Sequence, residues 1–174
     1  MPEALVRRLA VELLPVRTAR WQAGAQVLHL YRGLLGVQAL SRPAAMGPAT
    51  SVRLTLSTAG PHALPDFGGA LRLQPVLQGG APAAVLRDLQ ARRRTGGEQI
   101  QLTERGRPRS LKKQYQSRAL PEHARDGPLL YTAGGDLLFV PGLGIDARLH
   151  AVPGAVQWAI AWEPDSIGPP ATAD

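Results

Sequence analysis

The spacing of apolar residues changes several times along the chain. Residues 3–14 set Leu5, Leu9 and Leu13, with Val6 and Ala10, on one stripe at helical spacing, and Pro15 stops the run. That predicts a short amphipathic helix. From Arg20 the period shortens. RWQAGAQVLHLYRGLLGVQAL has β-branched and aromatic residues between turn signals at Ala23-Gly24 and Arg32-Gly33, and predicts two or three short antiparallel strands. SRPAAMGPAT, residues 41–50, is rich in Pro, Gly and Ala and reads as a connection. After it SVRLTLST alternates, with Val52, Leu54 and Leu56 on one face and Arg53 and Thr55 on the other. ALRLQPV repeats the pattern.

GGAPAAVLRDL, 79–89, predicts a turn followed by one or two helical turns. LQARRR, 89–94, predicts a strand leading into a Thr95-Gly96-Gly97 turn, with EQIQL as its hairpin partner on the far side. A basic loop at 104–109 then feeds a helix from Ser110, whose hydroxyl suits an N-cap. Leu111 and Tyr115, four apart, fall on its buried side, while Lys112, Lys113 and Gln116 face outward. Pro121 opens a second short turn, PEHAR. LLYTAGGDLLFVPG has the form of a hairpin, and AVQWAIAWEP predicts a last strand with Val156, Trp158, Ile160 and Trp162 on one face. The tail IGPPATAD reads as disordered. The expected class is α+β: β-rich, with short antiparallel strands and hairpins and a few short helices.

Composition changes this picture little. A chain of 174 residues can bury a core as one generous domain or two small ones, and 19 Gly with 16 Pro agree with many turns. There is no cysteine, which excludes disulfides and thiolate metal sites and fits a reducing compartment. The first stretch, MPEALVRRLAVELLP, is interrupted by Glu3, Arg7, Arg8 and Glu12, so it reads as neither a signal peptide nor a membrane span. The expectation is a soluble cytoplasmic protein.

Charge changes the picture more. Residues 91–125 hold ten basic residues (Arg92, Arg93, Arg94, Arg105, Arg107, Arg109, Lys112, Lys113, Arg118, Arg125) against Glu98, Glu104 and Glu122. That excess equals the whole +7 of the chain, and the other residues balance. Localised positive charge fits a polyanion, nucleic acid being the commonest, although charge alone also fits a solvated basic face. Arg offers forked planar donors to phosphate oxygens, Lys offers mobile point charges, and a helix N-terminus adds backbone N–H groups. Such contacts hold a backbone without reading its sequence. Only Tyr115 lies within the basic segment, so docking on a duplex by shape and charge is favoured over stacking on unpaired bases. A non-catalytic basic adaptor that meets an acidic protein, a lipid surface or another RNA is the alternative.

No enzyme site is visible. The chain lacks a G-x-x-x-x-G-K-[ST] loop, a G-x-G-x-x-G after a strand and an H-E-x-x-H. His29, His62, His123 and His150 are scattered without metal-ligand spacing. TAGGDL, 132–137, lies between apolar runs of similar length and reads as a hairpin turn rather than a nucleotide loop.

Several blocks, taken in order, carry a resemblance. RRRTGGEQIQL, GRPRSLKKQYQ, LPEHARDGPLLY, GGDLLFVPGLGIDAR and the closing Trp-containing strand resemble the C-terminal domain of bacterial tRNA(Ile)-lysidine synthase over about residues 89–163. LVRRLAVEL and RTARWQAGAQVLHLYRGLLGV resemble the end of the central substrate-binding domain of the same enzymes. The resemblance implies residues 1–40 as the end of that central domain, 41–165 as a C-terminal tRNA-docking domain and 166–174 as a tail. It implies a cytoplasmic ligase that uses ATP, with Mg2+, to join lysine to the wobble cytidine of isoleucine tRNA. The C-terminal part would hold the tRNA body and acceptor stem. The family's S-G-G-x-D-S loop belongs to an N-terminal ATP-pyrophosphatase domain and does not occur here. The expectation is therefore a C-terminal fragment that binds no cofactor itself, partners that catalytic domain, and cannot make lysidine alone.

By position, Arg92, Arg94, Gly96, Gly97 and Glu98 match an R-x-R-x-G-G-E block, and Gly106, Arg107, Ser110, Lys112 and Lys113 a G-R-x-x-S-x-K-K block. Gln99 stands where the family often has a basic residue. The candidate tRNA-binding residues are Arg92, Arg94, Arg105, Arg107, Arg109, Ser110, Lys112, Lys113 and Arg118, with Gly96, Gly97, Glu98 and Gly106 shaping the turns. No catalytic or metal-binding residue is assigned. VPGLGIDAR, 140–148, reads as structural, with Asp146 and Arg148 paired locally, and Trp158 and Trp162 read as core.

Overall fold

The computed structural model describes residues 18–23, 26–31, 34–39, 51–120 and 122–165. The predicted helix at 3–14, the connection at 41–50 and the tail lie outside the described residues. The chain divides into two compact units, with breaks after Arg42 and Pro164. In the first, β1 (Thr18–Ala23), β2 (Gln26–Tyr31) and β3 (Leu34–Ala39) form an antiparallel meander, as the strand pattern predicts. Trp21 stands opposite Leu28, and both are buried, with Val27 and Leu30.

The second unit is two facing sheets. The five-stranded sheet has β4 (Val52–Leu54), β8 (Leu89–Arg92), β11 (Leu129–Thr132), β12 (Leu137–Val140) and β13 (Gly144–Ile145), in the order β13-β12-β11-β8-β4. The four-stranded sheet has β5 (Gly60–Leu64), β6 (Gly69–Val76), β7 (Ala81–Pro82) and β14 (Gln157–Pro164), in the order β5-β6-β14-β7. Alternation sends Leu89, Ala91, Leu130 and Phe139 of one sheet, and Leu71, Leu73 and Ile160 of the other, into one shared core. Each buried Leu, Ile or Phe among them contributes about 1.5–3 kcal/mol by leaving water.

The opposite face of the five-stranded sheet has its own smaller core. Leu129, Leu137 and Val140 pack there with Ile100, Leu111, Tyr115 and Leu143. A bulge between Leu130 and Tyr131 skips Leu138 in the register, since Leu130 pairs with Phe139 and Tyr131 with Leu137. Leu138 and Phe139 consequently both serve the inter-sheet core, and all of β12 is buried.

Local pattern and tertiary pairing disagree at four places. SVRLTLST keeps strand pairing only over 52–54, although Leu56 is still buried. The segment 79–89 does contain a helical turn, a 3-10 turn at Val85–Arg87, but the short β7 precedes it. EQIQL is not the hairpin partner of 89–94. β8 pairs with β11 and β4, and β9 (Gln99–Ile100) pairs with β10 (Arg109–Ser110). Val156 precedes β14 and is 68% exposed, whereas Trp158, Ile160 and Trp162 pack at the inter-sheet core.

Trp162 also fixes two backbones. A Cβ on Gly127, whose φ is +125°, would lie 2.6 Å from the indole Nε1, and one on Gly69 would lie 2.6 Å from its Cζ2. Gly127→Ala therefore combines a left-handed backbone with a steric clash, and should lower stability by about 1–3 kcal/mol in a denaturant titration.

Candidate nucleic-acid interface

The basic segment leaves β8, turns, forms the β9–β10 hairpin and enters α1 (Leu111–Ser117). Its first three arginines separate by strand alternation. Arg92 and Arg94 go to the outward side: Arg92 lies 4.8 Å from the Tyr131 ring centroid and Arg94 lies 5.7 Å from that of Tyr115. Arg93 goes the other way, over Phe67 at 5.4 Å, and donates to the Asp66 carbonyl at 2.9 Å. Tyr115 is covered from a second direction by Arg125 at 5.4 Å, and its hydroxyl donates to the Pro141 carbonyl at 3.0 Å.

Glu98 holds the intervening turn. Its carboxylate accepts from the backbone N–H of Thr95 at 2.6 Å and of Gly96 at 3.0 Å, and from the Thr95 hydroxyl at 3.2 Å. Arg94 Nε stands 3.8 Å away. Burial pushes the Glu98 carboxyl up, but these donors more than offset it and hold it below the usual carboxylate range. Gly96 and Gly97 adopt φ of +99° and +86°, which the turn requires. Residues 99–100 pair with 109–110 instead, because both sides of β8 are taken by β4 and β11.

Next come the exposed cations. Arg105, Arg107 and Arg109 are exposed on the loop and hairpin, Lys112 and Lys113 on the first turn of α1, and Arg118 just past its end. Among the described residues none of these six has a carboxylate within ion-pair distance; the ion pairs there are Arg72–Glu163, Arg94–Glu98 and Arg148–Asp146. Leu111 and Tyr115 are on the buried side of α1, as the spacing predicts, and Gln114 is buried with them. Ser110 is its N-cap, accepting from Lys113 N at 3.4 Å, while Leu111 N donates to Glu98 O at 3.1 Å. Two helix-end N–H groups are thereby used within the protein, so the exposed donors here are mainly side chains.

The residue that steadies this loop has no sequence signal. The Gln101 side chain is buried, and its amide donates to the carbonyls of Thr103 and Glu104, both at 3.0 Å, just before Arg105. Gln101 N in turn donates to Asp146 Oδ2 at 3.2 Å. Gly106 closes the turn by donating to Thr103 O at 2.9 Å, and a Cβ there would meet Thr103 Oγ1 at 2.5 Å. Gln114 Nε2 donates to Ile100 O at 3.2 Å and ties α1 to the hairpin.

The Gly134-Gly135-Asp136 run closes the β11–β12 hairpin, with Thr132 N donating to Asp136 O and Gly135 N to Thr132 O, each at 2.9 Å. Among the described residues no group of three or more His, Asp or Glu converges, and no helix is long and apolar enough to cross a membrane.

The basic loop and helix are fastened to one outer face of a small β-sandwich. Residues 89–162 match the family described as the TilS substrate C-terminal domain. More particularly, the chain is similar to the tRNA(Ile)-lysidine synthases of Burkholderia pseudomallei (strain K96243) and Burkholderia mallei (strain ATCC 23344). Each is 37% identical over 112 residues, covering 60% of this chain. The match spans 22% of the length of those relatives. A solved structure titled "Crystal structure of TILS C-terminal domain" aligns over 69% of this chain and 100% of its own, at 24% identity and a TM-score of 0.46.

Proposed function

We propose that this module is the tRNA-docking part of a lysidine synthase, holding the body and acceptor stem of isoleucine tRNA through phosphate contacts. The observation that carries this reading is the group of exposed cations Arg105, Arg107, Arg109, Lys112, Lys113 and Arg118. They have no carboxylate partner among the described residues, and all lie inside the family-matched segment. Arg92 and Arg94 add donors from the end of β8. The chemistry belongs to a ligase, in the cytoplasm, whose ATP-pyrophosphatase domain binds ATP and Mg2+ and joins lysine to the wobble cytidine. The residues of this chain position the RNA and make no lysidine by themselves.

Salt dependence tests the proposal. Each neutralised phosphate contributes about 0.7–0.9 to the slope of log affinity against log salt. Four to six engaged cations would thus weaken binding of an isoleucine tRNA transcript by orders of magnitude between low and high salt. Lys112→Ala with Lys113→Ala should lower low-salt affinity about tenfold or more and flatten the slope by roughly 1.5–2, read by fluorescence anisotropy. Absence of binding at low salt, or a double variant indistinguishable from the parent, contradicts the proposal. Capture of an acidic protein instead would point to the adaptor role.

A further inference from the structure

The five-stranded sheet turns polar side chains outward where α1 and the hairpin do not cover it. Val52 and Leu54 pack against the inter-sheet core, as do Leu89 and Ala91, so Arg53, Gln90 and Arg92 must emerge on the opposite face. Register aligns them. Arg53 stands directly across from Gln90, and Gln90 across from Tyr131. Arg92 is two residues further along β8, a diagonal neighbour of Arg53 at about 7–8 Å.

Arg92 is already arranged. Its Nε donates to Gln90 Oε1 at 2.8 Å, its Nη2 donates to the same oxygen, and its plane lies over Tyr131. An arginine has five N–H donors in a fixed fork, so the remaining ones point away from Gln90. Arg53 is exposed, and no described carboxylate lies within ion-pair distance of it. Arg53 and Arg92 are thus two exposed cations on one face of the sheet, placed to meet separate phosphates of one strand.

Resting on the tRNA-docking reading above, we infer that Arg53 and Arg92 form a phosphate-contacting ridge on the outward face of the sheet, beside the loop-and-helix surface. Arg53 contributes a contact from outside residues 89–162, the segment that matches the family. The plain alternative is that Arg53 merely keeps an edge strand from pairing with other chains, since β4 is the last strand of its sheet. Edge protection alone predicts that Arg53→Gln leaves RNA binding unchanged.

The test compares Arg53→Gln, Arg53→Lys and Lys113→Gln in the full 174-residue chain. Binding of a labelled isoleucine tRNA transcript with a CAU anticodon is followed across a salt series. Arg53→Gln should flatten the slope by about 0.7–0.9 and Arg53→Lys should retain it, with Lys113→Gln marking the loss of one contact. If Lys113→Gln flattens the slope and Arg53→Gln leaves slope and affinity at parental values, the ridge is refuted while docking stands. If the parent chain shows no salt-dependent binding, docking fails and the ridge fails with it.

Discussion

Replacing Tyr115 by alanine should destabilise the Pro43–Pro164 unit by about 3–5 kcal/mol, as a large aromatic truncation in a closed core does. The ring is 1% exposed and belongs to the cluster that fastens α1 to the sheet through Ile100, Leu111, Leu129 and Val140. Arg94 and Arg125 cover its faces, so truncation also removes the surface on which they rest. A thermal melt should fall by roughly 10–20 °C, given the entropy of unfolding for a unit of this size. Tyr115→Phe separates packing from polarity. It loses only the hydroxyl bond to Pro141 O, for about 1–2 kcal/mol, and should leave tRNA affinity unchanged.

The hydroxyl carries a pH signature too. Burial pushes the Tyr115 phenol up to about 12, against a partial opposing pull from Arg94 and Arg125. A raised folded-state value means that its contribution is complete below the unfolded value near 10 and is lost as pH rises toward 12. Urea titrations between those limits should show the parent losing stability faster than Tyr115→Phe. Some loss persists in the variant, because burial also raises Tyr131.

Those contacts show where the sequence was legible and where it was not. Strand alternation is local, so the core face of β6 could be read directly from ALRLQPV. The cap at Ser110 and the buried pair Leu111–Tyr115 were legible for the same reason, since a seven-residue helix depends on spacing and its first turn. Partner choice is not local. β8 finds its neighbours at 129–132 and 52–54, which leaves no edge for the hairpin that the Gly-Gly turn a few residues beyond it suggests.

Charge behaved similarly. The composition of 91–125 located the basic segment, but it could not divide cations used inside the protein from those left outside. Arg93 and Arg125 serve the fold, over Phe67 and Tyr115. Arg53, which no charge count singles out, reaches the outward face only because β4 pairs with β8. Gln101 was invisible for a related reason: its partner Asp146 lies 45 residues away.

Asp146→Ala should cost about 3 kcal/mol, because several donors lose one buried acceptor together. The side chain is 0% exposed, and its carboxylate accepts from Gln101 N at 3.2 Å, Arg148 N at 2.9 Å, Arg148 Nε at 3.0 Å and Arg148 Nη2 at 2.7 Å. Burial pushes the carboxyl up, but the Arg148 guanidinium and the two backbone N–H groups outweigh it and hold it below the usual carboxylate range. A depressed folded-state value contributes stability above the unfolded value near 4, and that contribution is lost as pH falls through the folded one. The stability gap between the parent and Asp146→Asn should therefore be constant at neutral pH and close on acidification below about pH 4. Because Gln101 carries this anchor to the loop before Arg105, Asp146→Ala should also weaken tRNA binding, even though it frees the exposed Arg148 from its ion pair. Loss of stability with full retention of affinity would show instead that the loop holds its shape without Asp146.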